Sequence, residues 1–319
     1  MRSEFSKATH GERQANSVRM TGPDRVPQPA TRRPWTAGAV ALLILAALSC
    51  GTNEGQAQVR EIPVASQASE QEITLPSALP SGSRQVPVTL YIPAGEIRGD
   101  VLVLPGWDHS RRRFLDGTPL KAKADQYGLR LICPEMGRTL YESEYFPETR
   151  LRWTETPGLK WIVEILIPKM QERGYLLENQ NNYLLGLSTG ARGVALIALT
   201  SPALFQAAAA FSGDYDQTKM PGEQINVAVY GPYAQFPERW RRVDNPQTLI
   251  PLWRTPIFLA HGHSDGVVPV SQTTGFYEAL REAHPDLDLK LETPHAGHDY
   301  VFWGNMLEPA FAFLASHRQ

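Results

Sequence analysis

Along most of this chain, short apolar runs alternate with stretches of helical periodicity. Asp100-Val101-Leu102-Val103-Leu104, Leu129 to Cys133, Tyr183 to Leu187, Ala207 to Phe211, Pro256 to Ala260 and Leu287 to Leu291 are strand-like. Near-continuous apolar strands of this kind are buried on both faces, as in a parallel sheet, and the segments between them supply the covering helices. Helices are expected at Leu120 to Tyr127, Leu159 to Arg173, Gly190 to Thr200, Gln272 to Ala283 and Glu308 to Ser316. Two earlier segments, Glu72 to Leu75 and Val86 to Ile92, alternate in the strand manner and predict an antiparallel entry to the sheet. Pro87 puts the second near an edge or a strand start. The fold class is α/β: a mostly parallel central sheet with helices on both faces, in a domain of residues 71–319.

The stretch from Tyr215 to Leu249 breaks the alternation. It is rich in Pro, Gly and aromatics, with Tyr230, Tyr233, Phe236 and Trp240 close together. Two readings are open: a cap beside the site, in which Tyr233 and Trp240 favour an aromatic or acyl moiety, or a long connection whose aromatics pack it onto the domain.

The first seventy residues follow another pattern. A basic, Pro-containing segment with Arg25, Arg32 and Arg33 precedes an apolar run from Ala37 to Leu48. That run is short of the ~20 residues that span a bilayer, so residues 1–49 read as an export signal rather than an anchor. The run ends in Ala47-Leu48-Ser49-Cys50-Gly51, which resembles a bacterial lipobox with Cys50 as the lipidated residue and new N-terminus. Ala47 stands where Leu is usual, which leaves ordinary cleavage after Ser49 or Ala57 open. Thr31-Arg32-Arg33 resembles a twin-arginine signal, but Pro34 and Trp35 fit its continuation poorly. Met1 and Met20 are both possible starts. Residues 50–70 are polar and patternless, as a flexible tether would be. The expectation is an exported protein: periplasmic, attached to the membrane through a lipidated Cys50, or secreted.

Length and composition, 319 residues with 42% apolar and 20% charged, suit one large α/β domain. Without residues 1–49 the chain carries 24 Lys/Arg against 30 Asp/Glu, about −6, which makes nucleic acid an improbable partner. Cys50 and Cys133 are the only cysteines, so a disulfide framework is not expected. Cys133 lies in an apolar strand and reads as core.

Candidate chemistry begins at Tyr183-Leu184-Leu185-Gly186-Leu187-Ser188-Thr189-Gly190, an apolar strand entering a Gly-x-Ser-x-Gly turn that opens a helix. Such a turn exposes its serine on a strained bend, and glycines two residues to either side let neighbouring backbone approach. Ser188 is therefore the candidate nucleophile. A serine needs a histidine to take its proton and a carboxylate to orient that histidine. Downstream, a strand leads into His261-Gly262-His263-Ser264-Asp265-Gly266-Val267-Val268-Pro269, which places Asp265 just past a strand's carboxyl end, where sites of open parallel sheets gather. Thirty-three residues later, His295-Ala296-Gly297-His298-Asp299-Tyr300 again follows a strand. His298 is the candidate base, with His295 as its rival; Asp299 is too close in sequence to fold back onto His298. His261 and His263 belong to the turn presenting Asp265, and a structural hydrogen bond accounts for them. Two backbone amides usually stabilise an acyl-transfer oxyanion. Thr189 N–H is one candidate, and Trp107 N–H, in the turn Leu104-Pro105-Gly106-Trp107-Asp108-His109, is the other. Alternatively, Trp107 and His109 simply roof the pocket.

These residues resemble the α/β-hydrolase superfamily, in particular its esterase D-like branch, which includes S-formylglutathione hydrolases and mycolyltransferases. The likeness covers roughly residues 86–314. Beyond the elbow it rests on Ser201-Pro202-Ala203-Leu204-Phe205 leading to Phe211-Ser212-Gly213, on His261 to Pro269, and on Gly297-His298-Asp299-Tyr300 with Trp303. It implies Ser188 as nucleophile, Asp265 as acid and His298 as base, in a serine hydrolase acting on a small-molecule carboxylic ester through an acyl-enzyme. Two departures touch the oxyanion loop: Thr189 and Ala191 where the family often has Met and Gly, and Pro105-Gly106 where it usually has His-Gly. No metal-ligand spacing or dinucleotide fingerprint accompanies the triad, so no cofactor is expected. The alternatives are an acyltransferase or a prolyl-oligopeptidase-like peptidase on the same fold, or a non-catalytic ligand-binding lipoprotein. Oligomeric state is not readable from the chain.

Overall fold

The computed structural model describes residues 66–319. The expected export signal, Cys50 and most of the tether lie outside them. In chain order the elements are β1 (Ser69–Pro76), β2 (Gln85–Ile92), β3 (Gly99–Leu104), α1 (Arg111–Gly117), α2 (Leu120–Tyr127) and β4 (Leu129–Pro134). There follow α3 (Gly158–Trp161), a π-helical turn (Ile162–Leu166), α4 (Ile167–Gln171), β5 (Asn182–Leu187), α5 (Thr189–Thr200) and β6 (Ala207–Phe211). The remainder comprises α6 (Gln224–Tyr230), α7 (Pro237–Arg242), β7 (Ile257–Ala260), α8 (Ser271–Ala283), β8 (Leu289–Glu292), α9 (Tyr300–Asn305) and α10 (Leu307–Ser316). Short 3₁₀ turns occupy Gln217–Lys219 and Pro246–Leu252.

The strands form one eight-stranded sheet in the order β1-β2-β4-β3-β5-β6-β7-β8. β1 and β2 pair antiparallel with each other, and β2 with β4; every later pairing is parallel. β1 begins two residues before the expected domain start at Gln71. Side chains alternate across the sheet, so Leu102, Leu104, Leu184, Ala208 and Ala210 face one buried layer. Val101, Val103, Leu185, Leu187, Ala209 and Phe211 face the other. Residues of α3, α4, α5 and α8 fill the first layer, and α1, α2, α9 and α10 cover the second. Burial on both faces is what makes these strands read as continuous apolar runs. The fold is that of an α/β-hydrolase.

The helix expected from Leu159 to Arg173 is interrupted. Pro168 has no N–H to donate, and its ring crowds the carbonyl four residues back. The ladder shifts by one residue, with Ile167 N–H bonding to Ile162 O, and helical bonding resumes in α4. The connection from Tyr215 to Leu249 holds α6 and α7 and packs through its own apolar cluster of Leu140, Val229, Tyr230 and Trp240.

Candidate active site

Ser188 sits between β5 and α5 with φ 55° and ψ −126°, a left-handed conformation that disfavours any side chain. Its neighbours hold it there. Ser188 N–H donates to Phe211 O at 2.8 Å, and a Cβ on Gly190 would lie 2.2 Å from Leu104 O. A Cβ on Gly186 would lie 2.4 Å from Gly190 O, so both glycines serve the close passage of strand, turn and helix. Gly106 brings the loop after β3 directly onto the serine, since its Cβ would lie 3.0 Å from Ser188 Cβ.

Three strand ends then converge. His298 Nδ1 lies 2.6 Å from Asp265 Oδ2, and His298 Nε2 lies 3.0 Å from Ser188 Oγ. A carboxylate accepts, so Nδ1 carries the proton and Nε2 is left to accept from the serine hydroxyl. The Asp265 side chain is wholly buried; its Oδ1 accepts from Val267 N–H at 2.8 Å and Val268 N–H at 2.9 Å. Burial works against its ionisation, but the hydrogen bonds from His261, His298 and these two amides prevail and hold the carboxyl far below the usual carboxylate range. Trp303 stands edge-on to the His298 ring with centroids 5.0 Å apart, and its Nε1–H is tied to Ser212 Oγ at 3.1 Å.

The rival histidine is elsewhere: His295 Nδ1 is 3.1 Å from Ser264 Oγ in an exposed turn. Asp299 caps α9, accepting from Phe302 N–H at 2.9 Å. His263 is exposed. His261, by contrast, is fully buried and lies behind Asp265. Its Nε2 is 2.9 Å from Val268 O and 3.2 Å from Asp265 Oδ2, while Nδ1 is 2.6 Å from Thr273 Oγ1. The carbonyl fixes the proton on Nε2, so His261 also presents an N–H to the carboxylate.

Trp107 and Thr189 both line a cavity of about 390 Å³ in front of Ser188. Neither backbone N–H has a protein acceptor among the described residues. His109 lies beside them with Nδ1 2.9 Å from Tyr300 Oη, and burial, Arg113 and His298 lower its pKa. Thus His109 and Trp107 do roof the pocket, and the Trp107 amide is also free to donate.

Tyr233 and Trp240 do not line the cavity. Trp240 is fully buried in the connection's own cluster, donates Nε1–H to Gly231 O at 2.9 Å, and meets Tyr233 edge-on at 5.5 Å. The cap reading holds only for the other side of that connection, whose Met220, Glu223, Ile225 and Asn226 do face the cavity.

Three residues of the site go unsingled in the sequence. Arg192, one turn past Ser188, is fully buried and reaches Asp214 Oδ2 at 2.9 Å, Tyr230 Oη at 3.2 Å, Gln217 Oε1 and Asp244 O. Asp214 and Asn226 are buried in the pocket wall. A signal existed for Arg192: it is the one charge in an otherwise apolar α5, and a helix apolar all round is buried. Among the described residues no cluster of His, Cys, Asp and Glu could hold a metal ion, and Cys133 is buried, with its thiol pushed up to about 12.

With this geometry in view, the likenesses to known proteins are informative. Residues 166–316, which contain Ser188, Asp265 and His298, match the prolyl oligopeptidase family. Esterase LipQ of Mycobacterium tuberculosis is 29% identical over 178 residues, covering 47% of this chain and 42% of that protein. The chain therefore spans less than half the length of the curated relative it matches. Among solved structures, an S-formylglutathione hydrolase from Agrobacterium tumefaciens superposes with a TM-score of 0.64 at 17% identity, over 81% of this chain and 98% of that one. FphF, a fluorophosphonate-binding serine hydrolase of Staphylococcus aureus, gives 0.62 at 14% identity, over 78% and 99%. The chain has the fold of these hydrolases, and its second half is similar in sequence to the prolyl oligopeptidase family.

Proposed function

We propose that this protein hydrolyses carboxylic esters of small molecules through an acyl-enzyme. The observation that carries the reading is the unbroken chain from Ser188 Oγ through His298 to Asp265 at the mouth of a cavity. Ser188 Oγ attacks the acyl carbon while His298 Nε2 takes its proton, and the imidazolium is stabilised by Asp265. The Thr189 and Trp107 amides receive the oxyanion. His298 then protonates the leaving alcohol, and a water activated by the same nitrogen releases the acid and regenerates the serine.

Fluorophosphonate labelling with peptide mapping tests the assignment. Label should reside on Ser188 alone, and Ser188→Ala should lose on the order of 10⁵ in kcat at unchanged Tm. Near-normal turnover in that variant would sink the reading.

The match to the prolyl oligopeptidase family favours a second reading, cleavage of a peptide bond by the same groups. Product analysis on paired ester, thioester and peptide substrates separates the two. Export, with lipidation of Cys50, is proposed on the apolar run and lipobox-like sequence alone; mass analysis of the mature N-terminus tests it.

A further inference from the structure

The cavity in front of Ser188 is lined by both apolar and polar side chains. Leu140, Met220, Ile225, Val267 and Val268 supply the apolar lining, as an acyl or alkyl chain requires. The polar part of the lining is unusual for a hydrocarbon pocket. Asn226 is 1% exposed, yet its Oδ1 has no hydrogen-bond partner and its Nδ2 makes no hydrogen bond among the described residues. The Thr189 hydroxyl is likewise buried and unpaired. Asp214, 6% exposed, gives only Oδ2 to Arg192. Buried polar groups are almost always satisfied, so an unpaired carboxamide in the wall of a cleft points to a partner that arrives with the ligand.

We propose that Asn226, with Asp214 in the same lining, forms a subsite for a neutral hydroxyl group on the substrate. The carboxamide matches a hydroxyl in both senses, since its Nδ2 donates and its Oδ1 accepts, and the free oxygen of Asp214 accepts a further proton donor. A carboxylate is disfavoured, because Asp214 and Glu223 both line the cavity and no Lys or Arg does. A cation would have Glu223 alone to pair with, because Asp214 already faces the Arg192 guanidinium. An unsubstituted alkyl chain would leave the amide unpaired. This inference rests on the ester reading for the identity of the ligand, but its test does not depend on turnover.

Ligand binding is measured by calorimetry on Ser188→Ala protein with two matched pairs. Ethyl 6-hydroxyhexanoate is compared with ethyl heptanoate, and 6-hydroxyhexyl acetate with heptyl acetate, alongside monoethyl adipate as the anionic control. In at least one pair the hydroxylated ester should bind about tenfold or more tighter, against its lower hydrophobicity, with the adipate weakest. Adding Asn226→Leu should bring that pair to parity or reverse it; Asn226→Ala serves if the leucine variant does not fold. Equal binding within both pairs, or a hydroxyl preference that survives both replacements, overturns the subsite. A preserved preference in a protein whose Ser188 does not react with fluorophosphonate would overturn the hydrolase reading and leave the subsite standing.

Discussion

The two sides of the cavity are built by different means. On one side, Ser188, Asp265 and His298 each follow a strand of the main sheet, and the elbow is wedged among backbone atoms of Leu104, Gly186 and Gly190. On the other, the wall comes from the Tyr215 to Leu249 connection and Leu140, which share a small apolar cluster of their own. A reacting group tolerates little displacement, so it belongs on the stiff sheet, whereas a wall with a separate core can change shape without disturbing the elbow. The two sides meet at Arg192, which is planted in the elbow helix and spends its donors on Asp214, Gln217, Tyr230 and Asp244.

Breaking that junction should have the largest effect on the fold. Arg192→Met removes a buried cation and leaves Asp214 and three other acceptors without their donor, a loss of about 3–5 kcal/mol. Thermal unfolding should show it as a markedly lower Tm. Where the variant still folds, the preference for hydroxylated over plain esters should fall more than the rate of Ser188 labelling. Equal losses in both would mean that the elbow and the wall are one mechanical unit.

The same division decides how much could be read from the chain. Strands β3 to β7 were legible because burial on both faces leaves few polar positions, and Ser188, Asp265 and His298 because each follows a strand at a glycine-bearing turn. α1, α6, α7 and α9 were not, since six or seven residues give too little periodicity to separate a helix from a loop. Arg192, Asp214 and Asn226 stayed hidden for another reason. A charge or an amide reads as a surface residue unless its partners are known, and those of Arg192 lie 22 to 52 positions away. The aromatics at Tyr233 and Trp240 left two readings open, because nothing in a sequence says whether a ring faces a cavity or its own small core.

His261 probes the stiff side. His261→Phe removes the N–H behind Asp265 while leaving all three triad residues in place, and kcat should fall about tenfold to a hundredfold with KM little changed. The acid side carries the sign. The Asp265 carboxyl is held below its usual range, so its stabilisation is present above the ordinary carboxylate pKa and lost as pH falls through the folded value. Losing one of its donors raises that folded value, so acid unfolding should move to higher pH. His261→Gln, which can restore an N–H, should recover part of the rate and of the acid stability. A drop in Tm with an unmoved acid-unfolding profile would reduce His261 to packing.

The smallest effect should come from the far side of the wall. Tyr233 is half-buried and packs edge-on against Trp240, away from the cavity. Tyr233→Ala gives up that aromatic pair and some apolar contact, about 1–2 kcal/mol. Tm should drop accordingly, while the ranking of plain against hydroxylated esters and the chain-length preference stay within about twofold. The contrast with Arg192→Met is the point of the measurement, because both residues support the same connection but only Arg192 reaches the pocket side of it. If Tyr233→Ala reshuffled substrate preference as strongly as Asn226→Leu, the connection's small core would be setting the position of Asn226, and selectivity would belong to the packing of the whole wall rather than to the polar groups on its inner face.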